Sequence, residues 1–331
     1  MAKDLRIAVL GAGMWGSVLS QHLRRCVRRP TVTLWEYFPA AARALARTRR
    51  HPHIPGFRLD DSIGVTTDLR GALQGAELLL AVLPSGFMRS TAAAAARALD
   101  GRRPTVVNAS KGIEAGSLKT MGDVLAEELR GAAVYTLSGP SFAREVARGV
   151  PTQLVLAGPP GAGAARLQRL FDGGALSVKL SRDRKGVELG GSLKNVLAIG
   201  AGILDGLKAG ANTKAALLVH GMEEMGRLIA ASGGRRETIY GFAGLGDLIA
   251  TGTSGESRNR SFGEKLGAGA GAVRAQREIA TVVEGVSAAH SAYALARRLR
   301  VRVPVIEAVH GVVHRGRSAT TVLKALGFRA F

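Results

Sequence analysis

Lys194 sits in the middle of VELGGSLKNVLAIGAG, residues 187–202, with Leu193, Val196, Leu197 and Ile199 around it. An ammonium on so apolar a helix is costly to bury alone. It is normally paired, shifted in pKa, or held at a cleft. A lysine tuned in that way can give a proton to a developing alkoxide, or take one from an alcohol. Asn195, next on the same helix, can hydrogen-bond a hydroxyl. The plainer alternative is a helix lysine that snorkels its amine to solvent.

A second polar run, GFAGLGDLIATGTSGESRNRSFG, covers residues 241–263. Asp247 and Thr251 are four apart and share a helix face. Asp247 would orient and bias a lysine opposite it, unless it serves only as an ordinary salt-bridge partner. Ser257, Arg258 and Asn259 follow a flexible Gly-Thr-Ser-Gly turn, and a guanidinium fork beside Ser and Asn suits phosphate.

The third candidate is GAGMWG, which places Gly11, Gly13 and Gly16 in a G-x-G-x-x-G pattern around Met14 and Trp15. With 44 glycines in the chain the motif alone says little, so its context matters. An apolar strand precedes it and a helix follows. A second strand ends at Trp35, before Glu36 and Tyr37. Glu36 lies 20 positions after Gly16, near the spacing at which a carboxylate reaches adenosine ribose hydroxyls. Such glycines let a pyrophosphate approach the helix N-terminus. A structural glycine turn is the alternative. Lys111 follows Asn108-Ala109-Ser110 at a strand end, where ligands bind in open α/β sheets; a solvated loop lysine is the competing reading.

These groups need a framework. The first half alternates short apolar runs with helix-like stretches, as a parallel sheet with crossovers requires. Strands are predicted at 6–10, 31–35, 77–83, 105–109, 134–137, 152–157 and 177–180, and helices at 16–25, 40–50, 87–99 and 118–129. Beyond 181–186 nearly everything reads as helix: 187–204, 213–231, 288–299 and 304–314. The fold class is therefore an α/β Rossmann-type N-terminal domain followed by an all-α C-terminal domain. The predicted division is residues 1–182 for the dinucleotide and 183–331 for substrate and catalysis.

Composition narrows the function classes. A chain of 331 residues, 46% hydrophobic, has room for two folded domains. Cys26 is the only cysteine, which excludes an internal disulfide and a cysteine-based zinc site. No apolar run spans a bilayer, and the opening MAKDLRIAVLG runs straight into a strand without room for a signal peptide, so a soluble cytoplasmic protein is expected. The formal charge of +21 comes from scattered arginines, with no run of five basic residues and aromatics at only 5%. That pattern points to compositional bias rather than to nucleic-acid binding. His51-x-His53 lacks a third ligand beside Pro52 and Pro55, and His220, His290, His310 and His314 read as packing or surface residues. No metal is expected.

Taken in order, GAGMWG, AVLPS, ASKGIE, SGPSFAREVARGVPT, VELGGSLKNVLAIGAGILDGLKAGANTKAAL, GLGDLIATGTSGESRNRSFG and VVEG closely resemble the bacterial NAD(P)-dependent glycerol-3-phosphate dehydrogenases. The resemblance runs almost end to end, and the central block and the SRNR run are its most specific parts. It implies reduction of dihydroxyacetone phosphate to sn-glycerol 3-phosphate, the backbone precursor of phospholipids. It implies Lys194 as proton donor and acceptor, with Asp247 beside it. Lys111, Gly139, Ser141, Asp247, Ser257, Arg258 and Asn259 would surround glycerol phosphate, joined by Asn195 and Thr251. Met14, Trp15, Lys111, Ala143, Arg258, Val282 and Glu284 would contact NAD(H) or NADP(H). A homodimer is implied too.

One departure bears on the cofactor. Many members carry a small residue and then Arg or His after the second strand, which favours the NADP 2′-phosphate. Here Glu36-Tyr37-Phe38 stands instead, and NADH is expected to be preferred, although Arg43, Arg47, Arg49 and Arg50 lie close in sequence. The rival readings are a similar dehydrogenase of a β-hydroxy acid or sugar acid phosphate, and a nucleotide-sensing nucleic-acid binder.

Overall fold

The computed structural model describes residues 5–26, 29–279 and 282–328. They form two compact units. The first runs to Ser110 and resumes over Met121–Arg184; the second comprises Lys111–Thr120 and the chain from Lys185 onward.

The first unit is built on eight strands: β1 (Arg6–Leu10), β2 (Thr31–Trp35), β3 (Gly64–Thr66), β4 (Leu78–Ala81), β5 (Thr105–Asn108), β6 (Val134–Ser138), β7 (Thr152–Ala157) and β8 (Leu176–Ser181). Their order is β3-β2-β1-β4-β5-β6-β7-β8. Leu10, the last residue of β1, lies opposite Trp35 on one side and Ala81 on the other. Alternation along β1 explains its burial on both faces: Ile7 and Val9 join one hydrophobic cluster, Ala8 and Leu10 another. Leu79 and Leu80 divide in the same way and are fully buried. Truncating either to alanine should cost roughly 2–5 kcal/mol.

The helices of this unit are α1 (Met14–Arg25), α2 (Pro39–Thr48), α3 (Leu69–Leu73), α4 (Met88–Leu99), α5 (Met121–Glu128), α6 (Ala143–Ala147) and α7 (Ala162–Phe171). Of these, α3, α6 and α7 lie outside the predicted set, as does the three-residue strand β3. The pairing of β6 with β7 is antiparallel, which corrects the expectation of a wholly parallel sheet. The connection explains it. The connection, residues 139–151, holds only the five-residue α6 in place of the longer crossover helix that a parallel return normally uses.

The second unit is helical: α8 (Arg184–Gly206), α9 (Gly210–Ala231), α10 (Asp247–Thr253), α11 (Arg258–Gly267), α12 (Ala272–Ile279), α13 (Glu284–Leu299), α14 (Pro304–Arg315) and α15 (Thr321–Ala325). Every residue of α8 from Gly186 to Leu204 is buried. A helix apolar all round belongs in a core. By length and composition α8 could cross a bilayer, yet its apolar window is entirely buried within the protein. Around it pack Leu217, Met225, Leu228, Phe262 and Val309. Where α14 begins, Pro304 supplies no amide, and the buried Glu224 carboxylate of α9 accepts the Val305 and Ile306 N–H groups at 2.7 and 3.0 Å.

The predicted division near residue 182 leaves out the segment Lys111–Thr120, which belongs with the helical unit. Both its ends are tied to one face of α8. Gly112 N–H donates to Ser192 Oγ at 2.8 Å, and the Thr120 hydroxyl donates to Glu188 Oε2 at 2.6 Å. Ile113 joins the core between them.

Candidate active site

In the first unit the chain turns from β1 into α1 through the glycine motif. Gly11 has φ +107°. A Cβ there would lie 2.3 Å from the Val82 carbonyl oxygen, and one on Gly16 would lie 1.9 Å from the Gly11 oxygen. A Cβ on Gly13 would meet nothing within 4 Å. The outer glycines are thus needed for the turn and for helix–strand packing, while the middle one leaves the backbone open to a ligand, the division of labour a pyrophosphate site requires. Met14 and Trp15 form the first turn of α1 and are half-buried. Glu36, just past β2, reaches the turn: its carboxylate accepts Ala12 N–H at 3.2 Å and Phe38 N–H at 3.0 Å. Tyr37 is exposed and sits edge-on to Trp35 and Phe38.

In the second unit Lys194 is 6% exposed, halfway along α8. Its Nζ donates to Thr251 Oγ1 at 2.5 Å and pairs with Asp247 Oδ1 at 2.9 Å. Thr251 Oγ1 in turn donates to Asp247 Oδ1 at 3.2 Å, so the helix face shared by residues 247 and 251 receives the lysine. Lys111 pairs with the other carboxylate oxygen, Oδ2. A π-helical turn over Phe242–Gly246 leads directly into α10 and sets where Asp247 projects.

The electrostatics follow from burial and from two cations sharing one anion. Burial pushes the Lys194 ammonium down, Asp247 pushes it up and Lys111 pushes it down again, leaving its pKa at about 8. For Asp247, burial raises the carboxyl, but Lys111 and Lys194 together outweigh it and hold the group below its usual range. Two ammoniums share the Asp247 carboxylate, and the Glu284 carboxylate also acts on Lys194, raising its pKa and offsetting part of the positive charge. With a pKa near neutrality, Lys194 can both hold and release a proton.

Beyond α10 the Ser257 side chain caps α11, its Oγ accepting Arg260 N–H at 3.2 Å. Arg258, first residue of α11, is exposed and makes no ion pair among the described residues. A free guanidinium at a helix N-terminus is a ready anion site. Asn259 and Asn195 are buried and bonded to each other, Asn259 Nδ2 donating to Asn195 Oδ1 at 2.9 Å. The close approach of α11 to α8 depends on Gly202, where a Cβ would lie 1.9 Å from the Arg260 oxygen.

Lys111, Lys194, Asp247 and Thr251 thus form one cluster, and Asn195, Ser257, Arg258 and Asn259 a second group in the same unit. Val282 is exposed just before α13, and Glu284 opens that helix. Gly139, Ser141 and Ala143 belong to the first unit, after β6. Gly139 has φ +134°, and the Ser141 hydroxyl donates to its carbonyl at 3.1 Å. The adjacent Ser138 hydroxyl is buried and has no hydrogen-bond partner among the described residues. Sequence reasoning missed Ser192, Glu188 and Gly285. The one available signal was that Ser192 and Glu188 are polar residues, four apart, on the apolar helix that carries Lys194. Among the described residues no group of three His, Cys, Asp or Glu side chains could hold a metal ion.

A strand–glycine turn–helix unit and a helical unit with a buried, tuned lysine are the two parts of a dinucleotide-dependent oxidoreductase. Comparison with known proteins narrows the class. The families described as NAD-dependent glycerol-3-phosphate dehydrogenase N-terminus and C-terminus match residues 6–162 and 183–324. The chain is 43% identical over 321 residues to glycerol-3-phosphate dehydrogenase, NAD(P)+, of Rhodospirillum rubrum, covering 97% of this chain and 91% of that protein. It is 44% identical to a Thermus thermophilus protein of the same name, at 97% and 98% coverage. The crystal structure of glycerol-3-phosphate dehydrogenase from Coxiella burnetii superposes with a TM-score of 0.93 at 34% identity, covering 98% of this chain and 99% of that one. The chain belongs to the NAD-dependent glycerol-3-phosphate dehydrogenase family, oxidoreductases acting on a CH–OH group.

Proposed function

We propose that the protein catalyses the reversible NAD(P)H-dependent reduction of dihydroxyacetone phosphate to sn-glycerol 3-phosphate and so supplies glycerophospholipid synthesis. The observation that carries this reading is the buried Lys194, hydrogen-bonded to Thr251 and paired with Asp247. The nicotinamide, when bound, supplies the hydride. The chain's own residues do the rest. Lys194 delivers the proton to the oxygen that becomes the C2 hydroxyl, and takes it back in oxidation. Asp247 holds the lysine in place and Lys111 adds positive charge for the bound anion. Arg258, with Ser257 and Asn259, takes the substrate phosphate; Asn195, Gly139 and Ser141 complete the substrate contacts.

Gly11, Gly13, Met14, Trp15 and Gly16 would hold the cofactor pyrophosphate, with Ala143, Val282 and Glu284 as further cofactor contacts. The open space at Gly13 fits that role. Glu36, kept at the turn by Ala12 N–H, favours NADH: its carboxylate can accept from ribose hydroxyls and would repel a 2′-phosphate. Residues 1–182, apart from the segment 111–120, serve as the nucleotide domain, and 183–331 with that segment as the substrate domain, of a cytoplasmic homodimer that binds neither nucleic acid nor membrane.

The test follows NADH and NADPH oxidation with dihydroxyacetone phosphate and, separately, with unphosphorylated dihydroxyacetone. Turnover of the phosphorylated ketone, far faster than of the free one, is expected. No turnover with either cofactor would contradict the reading.

A further inference from the structure

Helix α13 begins without help from its own side chains: its N-cap is Val283, whose carbonyl accepts Val286 N–H at 3.1 Å but whose side chain has no acceptor for the amides before it. The open end of a buried helix needs one. Asn259, from the start of α11, provides it. Its Oδ1 accepts Gly285 N–H at 2.9 Å, and its Nδ2 donates to Asn195 Oδ1 at 2.9 Å. The amide orientation is fixed by these partners, since a donor at the Oδ1 position would face the Gly285 N–H. One side chain therefore joins three segments: the Arg258 turn, the helix carrying Lys194, and the turn bearing Val282 and Glu284. All three groups are buried, with Asn195 at 3% and Asn259 at 9% exposure. Gly285 has no room for a side chain, because a Cβ would lie 2.7 Å from Ile199 Cδ1 and 2.8 Å from Asn259 Oδ1.

We propose that Asn259 is a positioning residue for the cofactor end of the site. It caps α13 from outside, fixing the Val282–Glu284 segment to the Lys194 helix, in addition to any contact with substrate phosphate. The inference rests on the reading of Val282 and Glu284 as cofactor contacts. It predicts an effect on cofactor binding in the absence of substrate, which a phosphate contact alone cannot produce.

The test measures binary NADH affinity by fluorescence titration, without ketone or phosphate, in the full-length wild type, N259A and N259D. Losing the cap should weaken binary binding by about fivefold in N259A. Asp keeps an acceptor for Gly285 N–H but loses the donor to Asn195 Oδ1, and Asn195 must turn its amide to donate to the second carboxylate oxygen, so N259D should weaken NADH binding clearly less than N259A does. Its added negative charge should still raise KM for dihydroxyacetone phosphate strongly. An unchanged binary affinity in N259A, or equal weakening in N259D and N259A, overturns the proposal. Amide exchange across residues 282–290, faster in N259A with or without cofactor, reads the cap itself. If the wild type fails to bind NADH, the functional reading falls and this exchange measurement alone decides whether the cap exists. Unaltered exchange then overturns it. Matched thermal melts exclude simple unfolding, and G285A, which crowds the same cap by another route, should reproduce the exchange change if N259A cannot be obtained folded.

Discussion

The glycine turn of the first unit and the lysine cluster of the second are built from opposite materials. The turn is a site made of backbone. Its specificity lies in side chains that are missing at Gly11 and Gly16, where a Cβ would strike the chain at 2.3 and 1.9 Å. The cluster is made of side chains, four of them from three segments, and depends on the balance of two ammoniums against one carboxylate. A backbone site survives substitution of its neighbours and fails when atoms are added. A site of mutually tuned charges tolerates added atoms poorly too, but it fails first when one group is removed.

The contrast breaks most sharply at Lys194. Lys194→Ala should lower the rate of reduction by ~10²–10⁴-fold while leaving NADH binding nearly intact, measured by steady-state kinetics beside fluorescence titration. Lys194→Arg should not rescue, because a guanidinium stays protonated and differs in shape. Next come the glycines. Gly16→Ala should destabilise the protein by about 1–3 kcal/mol or more, since its Cβ meets backbone that cannot yield. Gly13→Ala should melt like wild type and show only weaker cofactor binding. Equal losses of melting temperature in the two variants would remove the distinction between packing glycine and ligand glycine.

Much of this was legible in the sequence, and the exceptions share a cause. The bounds of β1, β2 and β7 follow from apolar runs ended by glycine, proline or charge. Lys194, Asp247 and Arg258 stand out as charge in apolar or glycine-rich surroundings. The strand β3 is three residues, too few for alternation to register, and α7 opens in a Gly-Ala stretch that reads as loop. The direction of β7 is a matter of the connection before it, which lacks a full crossover helix, and not of any pattern within β7. Likewise the segment Lys111–Thr120 joins the helical unit through single hydrogen bonds to Ser192 and Glu188, which leave no periodic trace. Asn259 was read for its chemistry toward phosphate. Its bonds to Asn195 and Gly285 link positions 64 and 26 residues away, a scale at which spacing carries no information.

Smaller effects sharpen the comparison. Arg258 is exposed and unpaired among the described residues, so Arg258→Ala should leave stability unchanged. It should raise KM for dihydroxyacetone phosphate roughly 10–100-fold, the range for a hydrogen-bonded charge. The free ketone should be affected far less, and equal proportional losses on both would remove Arg258 as the phosphate anchor. Glu36→Ser should shift kcat/KM toward NADPH and away from NADH. If the wild type already prefers NADPH by tenfold, about 1.4 kcal/mol, Arg43, Arg47, Arg49 and Arg50 become the residues to test.

The smallest effect lies away from both sites. Burial raises the Glu224 carboxyl to about 7, against the pull of the Ile306 and Val305 amides. A carboxyl whose pKa is higher folded than unfolded favours the folded state below its unfolded pKa. That contribution fades as pH rises from near 4.5 through about 7. Melting temperatures across this window should decline less steeply in Glu224→Gln.

The pH dependence of kcat/KM for dihydroxyacetone phosphate reduction tests the central claim most directly. Lys194 must carry its proton to reduce the ketone, and its pKa lies at about 8. Reduction should therefore hold level below that value and fall about tenfold per pH unit above it, while glycerol 3-phosphate oxidation rises over the same interval. A reduction profile flat through pH 8 and 9, or a falling limb that persists in the residual activity of Lys194→Ala, would contradict the assignment of the proton to Lys194.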